Sequence, residues 1–273
     1  MDFVLPDIRL AALTVGQGTP VLALHGWMDN AASFAPLAPY WQHGRLIALD
    51  LPGHGHSGHR SGGYFFVDYL YEIWQVTEQL AEPVHLLGHS MGAMLASCFA
   101  GLYPERVRSL QLLDGLLPIT ERQSQAATTL RQAIASRHQQ ALRPARIYPD
   151  RQTMAKARAA GSDLPLAQAA LLVERASEAC PGGYRWRADP KLKTTSMVRL
   201  SPGQRESLLA GLSCPVYAYL GRRGFYANDE PERARQLSAL KVRQHHWLDG
   251  GHHLHMEQPE ALVRLVGEVL TLT

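Results

Sequence analysis

Four short, largely apolar runs constrain the fold of this chain more than any other feature of its sequence. They lie at Pro20–Leu24, Arg45–Leu49, Val84–Gly88 and Val107–Leu113. Helices are predicted after the second run, at Phe66–Leu80, and after the third, at Ala93–Tyr103. Apolar strands that alternate with helices are typical of a parallel sheet covered on both faces. The sequence therefore predicts an α/β fold with a mostly parallel sheet and helices on both faces.

Residues 115–211 break this alternation. The segment is rich in Ala, Gln, Arg and Leu, shows no clear strand, and favours helices such as those predicted at Gln123–Gln140 and Leu166–Ala179. Because a loop of this length is uncommon inside a compact domain, we interpret residues 115–211 as an inserted helical cap, or lid. The core then comprises residues 1–114 and 212–273, with further strands at Val216–Leu220 and Lys241–Trp247 and a last helix at Glu260–Leu270.

Charge and hydropathy narrow the class of protein. The 273 residues include 27 Lys and Arg against 24 Asp and Glu, a net charge of +3 that indicates neither nucleic acid nor a membrane surface as partner. No apolar stretch reaches the length of about 18 residues that a membrane span needs, and the first residues lack the apolar segment of a signal peptide. Three isolated cysteines, Cys98, Cys180 and Cys214, are usual in a reducing compartment. We expect a cytoplasmic protein, either monomer or homodimer.

One segment carries the pattern of a nucleophilic serine. Gly88-His-Ser90-Met-Gly92 matches G-x-S-x-G and stands between a predicted strand and a predicted helix, which is the setting of a nucleophile elbow. Such a turn strains the serine backbone, and flanking glycines remove side chains that would clash. Ser90 is therefore the predicted nucleophile, with its hydroxyl projecting above the sheet near the positive end of the helix.

A serine nucleophile needs a general base, and histidines follow the last predicted strand. His252 comes directly after Gly250-Gly251, at the carboxyl edge of the sheet where Ser90 is also predicted. We identify His252 as the base, keep His255 as the alternative, and expect His253 to point elsewhere.

An oxyanion hole needs two backbone N–H donors. Met91, directly after the nucleophile, is predicted to supply one, and Trp27 the other, because Gly26 lets the loop after the first strand turn tightly. The same segments place four residues where they can contact a substrate: His25, Gly26, Asp29 and His89. Asp29 is alternatively a cap for the helix that follows.

These motifs, taken in order, resemble the α/β-hydrolase superfamily. The resemblance rests on Leu24-His-Gly-Trp27, Asp50-Leu-Pro-Gly-His-Gly-His-Ser57, the Ser90 elbow, and Gly251-His252 with Glu257-Gln-Pro259. More narrowly, His25-Gly-Trp-Met-Asp-Asn30, Leu112-Leu-Asp114 and Gly224-Phe-Tyr226 resemble the serine hydrolase-like proteins. The resemblance implies the α/β-hydrolase fold and an esterase-type serine hydrolase with a cap over its pocket.

The acid of the triad departs from the superfamily pattern. The superfamily usually carries it in a G-x-x-D motif after the strand at Val216–Leu220, where this chain has Gly221-Arg-Arg-Gly224. Some members take the acid from the position of Asp114, at the end of the strand after the nucleophile helix, and we predict that Asp114 orients His252. Two alternatives stay open. The acid is Asp229 or Glu230, which would reach the site from a remodelled loop, or the site has no competent acid.

The sequence contains two clusters of histidines. One comprises His54, His56 and His59, and the other comprises His252, His253 and His255. Both clusters lack the spaced acidic and histidine partners of a zinc or dinuclear metal site. We therefore expect no metal, and the acyl-enzyme chemistry that we favour needs no organic cofactor. Asp50, in the turn before the first cluster, is interpreted as structural.

The sequence thus predicts a serine hydrolase that cleaves a carboxylic ester or thioester of a small-molecule acyl substrate. Ser90 stands where haloalkane dehalogenases and epoxide hydrolases of the superfamily carry Asp, which argues against those activities. Carbon–carbon bond hydrolysis and acyl transfer use the same triad and stay open. The alternative from another class is a ligand-binding protein that keeps the fold without catalysis, supported only by the missing acid after Val216–Leu220.

The net charge conceals an uneven distribution. Residues 115–211 hold 15 Lys and Arg against 7 Asp and Glu, whereas the rest of the chain holds 12 against 17. We expect the basic cap either to dock on the acidic core or to favour anionic acyl substrates.

Overall fold

The computed structural model describes residues 1–272, which form one large sheet, a separate hairpin and nine α-helices. The strands are β1 (Asp2–Val4), β2 (Arg9–Val15), β3 (Pro20–Leu24), β4 (Arg45–Leu49), β5 (Val84–His89), β6 (Val107–Leu113), β7 (Ser177–Cys180), β8 (Gly183–Trp186), β9 (Val216–Gly221) and β10 (Gln244–Leu248). The α-helices are α1 (Asp68–Leu80), α2 (Met91–Leu102), α3 (Ala126–Ala141), α4 (Arg151–Ala160), α5 (Leu166–Ala176), α6 (Pro202–Leu209), α7 (Glu230–Ala239), α8 (Leu254–Glu257) and α9 (Pro259–Leu270). Short 3-10 helices lie at Ala31–Tyr40, Pro104–Arg106, Gln123–Gln125 and Pro190–Lys193.

Eight strands form the large sheet in the order β1-β2-β4-β3-β5-β6-β9-β10. Six neighbouring strands, β4-β3-β5-β6-β9-β10, pair in parallel. Strand β2 pairs antiparallel with both of its neighbours, β1 and β4. The prediction of a mostly parallel α/β sheet is confirmed. The apolar runs did not reveal β1 and β2, because β1 has three residues and the second half of β2 is exposed or half-buried.

Successive residues of the central strands enter two different cores. In β3, Leu22 and Leu24 belong to the core that contains α1 and α2, whereas Val21 and Ala23 belong to the core that contains the 3-10 helix Ala31–Tyr40 and α9. Both faces of the sheet are therefore buried, so each position of the strand must be apolar. This burial explains why the central strands appear as continuous apolar runs in the sequence.

Residues 115–211 leave the sheet after β6 and return before β9. They contain the four helices α3 to α6 and an antiparallel hairpin, β7–β8, which pairs Ser177 with Trp186 and Cys180 with Gly183. The expectation that this segment contains no strand is therefore wrong. Because most residues of both hairpin strands are half-buried or exposed, no apolar pattern marks them, and the helix predicted at Leu166–Ala179 ends at Ala176 instead.

Polar contacts join this segment to the core. Arg158 of α4 pairs with buried Asp29 at 2.8 Å, and Arg175 of α5 pairs with fully buried Asp50 at 2.7 Å. Asp50 also accepts the N–H groups of Ala31 and His56, at 2.7 and 2.8 Å, as expected for a structural residue in its turn. Two basic residues of the segment thus pair with acidic residues of the core.

The carboxyl ends of β3, β5, β6, β9 and β10 meet at one edge of the sheet, because these strands are parallel. The loops at this edge carry the residues that the motifs single out. None of the helices within residues 1–272 combines the length and the apolar composition that a membrane-spanning helix needs.

Candidate active site

Ser90 stands at a sharp turn between β5 and α2. Its backbone has φ 52° and ψ −118°, a strained conformation that the surrounding structure must impose. A Cβ on Gly92 would overlap the carbonyl oxygen of Leu24, and a Cβ on Gly88 would lie 2.5 Å from the Cα of Ala93. Both flanking positions therefore require glycine, as the elbow motif implies.

His252 follows β10 and lies against Asp114, which follows β6. His252 Nδ1 donates to Asp114 Oδ2 across 2.7 Å. The fully buried Asp114 carboxylate also accepts the N–H of Gly221 at 3.1 Å and that of Phe225 at 2.9 Å. These contacts fix the carboxylate and keep a proton on Nδ1, so neutral His252 carries its lone pair on Nε2, the arrangement that a general base requires.

Gly224, the glycine that replaces the usual acid, is explained by the position of Asp114. A Cβ on Gly224 would overlap the carboxylate of Asp114, so the two positions cannot both carry a side chain in this geometry. The alternative acids lie elsewhere. Asp229 is exposed and accepts the N–H of Glu232 at 3.1 Å as the N-cap of α7, and Glu230 is exposed in the first turn of that helix.

The two predicted oxyanion donors border Ser90. Met91 is the first residue of α2, so its N–H has no acceptor within the helix. The loop that carries Trp27 passes directly against the elbow, since a Cβ on Gly26 would lie 3.2 Å from the Cβ of Ser90. The indole N–H of Trp27 donates to the carbonyl of Leu192 at 3.1 Å, which ties this loop to the segment 115–211.

Two cavities open beside Ser90, and three residues line both of them: Trp27, Ser90 and Phe225. The first, which we call the apolar cavity, has a volume of about 470 Å³ and is lined also by Phe65, Phe66, Val67, Met91, Met94, Ile119, Ser196, Val198, Arg199 and Leu200. The second, the polar cavity, has about 520 Å³ and is lined also by Gly26, Met28, Asp29, His89, Arg158, Gly161, Ser162, Asp163, Arg223, Gly224, His252 and His253. A molecule bound at Ser90 can therefore place chemically different ends in the two cavities.

Three of the four predicted substrate-contact residues, Gly26, Asp29 and His89, line the polar cavity. His25 lines neither cavity. Its fully buried ring contacts the carbonyl oxygen of Gly26 through Nδ1 at 2.7 Å and accepts the N–H of Leu51 on Nε2 at 3.0 Å. His25 thus holds the loop in place, and the substrate contact that the sequence suggested for it is not supported by its position.

A charged network that no sequence motif indicates lies next to His252. His253 lies between two carboxylates, with Nδ1 at 3.3 Å from Asp163 Oδ1 and Nε2 at 3.1 Å from Asp29 Oδ2. Burial by itself lowers the pKa of His253, but the hydrogen bonds and charges of Asp163 and Asp29 outweigh it and raise that pKa to about 9. Burial raises the pKa of Asp29, but His253 and Arg158 together hold it below its usual range. The hydrogen bond from His253 likewise lowers the pKa of Asp163.

No motif marked Asp163, because it lies between α4 and α5, far along the chain from the elbow. The only sequence signal at Phe225 is its place in Gly224-Phe-Tyr226, which resembles the serine hydrolase-like proteins. In the structure its ring stacks on His252 with centroids 3.7 Å apart, although 65% of the residue is exposed.

His255, the alternative base, is fully buried against Phe34 and His89. Burial lowers its pKa to about 3, and within residues 1–272 neither ring nitrogen has a hydrogen-bond partner. His89 donates from Nε2 to the carbonyl oxygen of His252 at 2.9 Å. Burial lowers the pKa of His89 far below its usual value, so both rings are neutral near pH 7.

Among residues 1–272, one group of side chains brings together donor atoms of the kind that bind metal ions. Ligand atoms of Asp29, His89 and His253 lie within 4.8 Å of one another. His253, however, has both nitrogens directed at carboxylates, and Asp29 also pairs with Arg158. An ion would have to displace these partners, so the donor set fits the existing ion pairs better than a metal.

The family model of the alpha/beta hydrolase fold matches residues 19–259. The chain belongs to the α/β-hydrolase family. A serine hydrolase-like protein from Danio rerio is 30% identical over 271 residues, which cover 93% of this chain and 82% of that relative. The superfamily and fold expected from the motifs are therefore confirmed.

Solved structures of other proteins have the same fold as this chain. The hypothetical protein PA1622 from Pseudomonas aeruginosa is 38% identical, with a TM-score of 0.93, and the match covers 99% of this chain and 98% of that protein. A thioesterase domain from the curacin biosynthetic pathway is 27% identical, with a TM-score of 0.83 over 97% of this chain and 98% of that domain. The family and this thioesterase neighbour support hydrolase activity in general.

Proposed function

We propose that this α/β-hydrolase cleaves a carboxylic ester or thioester of a small-molecule acyl substrate, with Ser90 as nucleophile, His252 as base and Asp114 as the acid that orients the base. The observation that carries the proposal is the 2.7 Å contact between His252 Nδ1 and the buried Asp114 carboxylate, at the sheet edge that holds the strained Ser90. The contact leaves Nε2 of His252 as the nitrogen able to take the serine proton.

The reaction follows from these positions. Ser90 Oγ bonds to the acyl carbon while its proton passes to His252 Nε2, and Asp114 stabilises the imidazolium that forms. The carbonyl oxygen becomes an oxyanion, which the N–H groups of Met91 and Trp27 stabilise. The bond to the leaving group then breaks, and His252 protonates the departing alcohol or thiol. Water, deprotonated by His252, attacks the acyl-enzyme and releases the carboxylic acid and Ser90.

The two cavities give this substrate a direction. We assign the acyl chain to the apolar cavity, where each buried methylene contributes about 0.8 kcal/mol, and the leaving group to the polar cavity. Several residues that line the apolar cavity are themselves exposed, among them Ile119, Val198 and Phe225. An exposed apolar rim of this kind is typical of a binding site.

Arg199 makes the assignment of the acyl chain to the apolar cavity more specific. It is exposed and is the one charged residue that lines the apolar cavity among residues 1–272. Arg158 and Arg175 already pair with carboxylates of the core, so part of the basic character of the cap serves docking. We propose that Arg199 serves the remaining part and favours acyl chains that carry a carboxylate.

The Asp114–His252 contact weakens the alternative of a non-catalytic binding protein, because that alternative was supported only by a missing acid. Labelling with a fluorophosphonate probe tests the proposal directly. We expect the folded protein to be labelled and the Ser90→Ala variant not to be. Wild-type protein that stays unlabelled, although its circular dichroism shows a native fold, would refute the proposal that the protein is a serine hydrolase. Product analysis with p-nitrophenyl and thioester substrates, with and without an added alcohol acceptor, separates hydrolysis from acyl transfer.

A further inference from the structure

The backbone of His252 is held from two sides. On the core side, His89 Nε2 donates to its carbonyl oxygen at 2.9 Å. On the cap side, its N–H donates to Asp163 Oδ2 at 2.7 Å. A Cβ on the preceding residue, Gly251, would overlap Asp163 Oδ2, so this close approach to the carboxylate requires glycine at position 251. A residue of the segment 115–211 thus binds the peptide that carries the proposed base.

The same carboxylate is the end of a chain of alternating charges. Asp163 Oδ1 faces His253 Nδ1 at 3.3 Å, His253 Nε2 faces Asp29 Oδ2 at 3.1 Å, and Asp29 Oδ1 accepts from Arg158 Nη2 at 2.8 Å. His253 and Asp29 are buried and belong to the core, whereas Asp163 and Arg158 belong to the cap. One continuous network therefore crosses between cap and core twice, once at Asp163–His253 and once at Asp29–Arg158. We call it the latch (Asp163, His253, Asp29 and Arg158).

The latch needs a proton on each nitrogen of His253. A neutral imidazole has one N–H, so it could donate to only one of the two carboxylates and would leave the other facing a lone pair. The other titratable groups around His253 are the rings of His89, His252 and His255. His89 and His255 are kept neutral by burial, so they neither supply nor replace the charge of the imidazolium.

We propose that Asp163 is a positioning residue for His252 and that protonated His253 couples the docking of the cap to the position of the base. This inference rests on the proposed function, since it assigns a catalytic consequence to a structural contact. When the cap is docked, Asp163 fixes the His252 peptide and the polar cavity is complete. When the cap moves away, the peptide loses its acceptor and the carboxylate of Asp29 loses Arg158. Cleavage is thereby confined to the state in which the cap covers the site.

Substitutions at Asp163 separate positioning from charge. Asp163→Ala removes both acceptors, and we expect kcat and the fluorophosphonate labelling rate to fall about 10- to 100-fold, the effect of a small displacement of a catalytic group. Asp163→Asn keeps an oxygen for the His252 N–H and offers an N–H to neutral His253, so most of the activity should remain. Asp150→Asn is the matched control, because Asp150 is an exposed carboxylate of the same segment that only caps α4.

The pH profile gives a readout that a merely structural role would not change. In the wild type, kcat should decline as pH rises through about 9, where His253 loses its proton. The decline should persist in Asp150→Asn and disappear in Asp163→Asn, in which the network no longer needs the charge. Titration of the His253 ring by NMR should show the matching fall of its pKa in Asp163→Asn.

These experiments distinguish failure of the proposed function from failure of the positioning role. A wild type that is never labelled refutes the proposed function, whereas a labelled wild type with an equally fast Asp163→Ala variant refutes the positioning role alone. If Asp163→Ala does not fold, the Asp163→Asn profile decides. An alkaline decline that persists in that variant, or an unchanged pKa of His253, overturns the latch.

Discussion

Two histidines adjacent in the sequence occupy opposite kinds of environment. His252 contacts one carboxylate, Asp114, through Nδ1 and lines the polar cavity. His253 contacts two carboxylates, one through each nitrogen, and its side chain is buried. A ring with one free nitrogen can accept and return a proton, whereas a ring held at both nitrogens keeps its proton and serves as a fixed cation. The difference shows why only the first of the pair is suited to general base catalysis.

The largest expected effect on activity comes from removing the contact between His252 and Asp114. Asp114→Asn removes the carboxylate that keeps the proton on Nδ1, so His252 can adopt the wrong tautomer. We expect kcat for a p-nitrophenyl ester to fall about 10³- to 10⁴-fold, with a smaller change in KM. Asp229→Asn is the control, because asparagine also caps a helix and Asp229 is exposed at the start of α7. Activity that survives Asp114→Asn but not Asp229→Asn would mean that the acid has been misassigned.

The sequence made the first environment predictable and concealed the second. Ser90, Asp114 and His252 each follow a strand of a parallel sheet, so their positions at one edge follow from the order of the elements. Asp163 lies between α4 and α5, and its approach to His252 depends on how these two helices pack against the loops at the sheet edge. No local periodicity encodes that packing. The role of Gly224 was hidden for a related reason, since its missing side chain makes sense only beside the carboxylate of Asp114.

The second environment should be visible in the pH dependence of stability. The pKa of His253 is raised to about 9 in the folded protein from an ordinary value of 6.5. Its contribution is therefore complete below about pH 6.5 and is lost as pH rises through about 9, and it amounts to about 3 kcal/mol in the free energy of unfolding. Urea unfolding at a series of pH values measures this loss.

Two variants test whether the loss belongs to His253. His253→Gln should flatten the alkaline side of the stability profile. His255→Phe should leave that side unchanged and make the acid side less steep, because burial lowers the pKa of His255 to about 3 and unfolding lets this ring take up a proton below about pH 6.5. An alkaline loss of the same size in His253→Gln would assign it to another group.

The smallest expected effect concerns Arg199, at the other end of the proposed substrate. If Arg199 pairs with a carboxylate on the acyl chain, Arg199→Ala should lower kcat/KM about 2- to 5-fold for an ester whose acyl chain ends in a carboxylate, the range of an exposed ion pair. A neutral ester of equal chain length should be unaffected, and high salt should weaken the wild-type preference because it screens the pair. Arg143→Ala, a change at an exposed arginine of residues 115–211 that lines neither Ser90 cavity, should affect neither ester. Equal losses for both esters in Arg199→Ala would show that Arg199 shapes the cavity without recognising charge, and the basic character of residues 115–211 would then serve only their proposed docking on the rest of the chain.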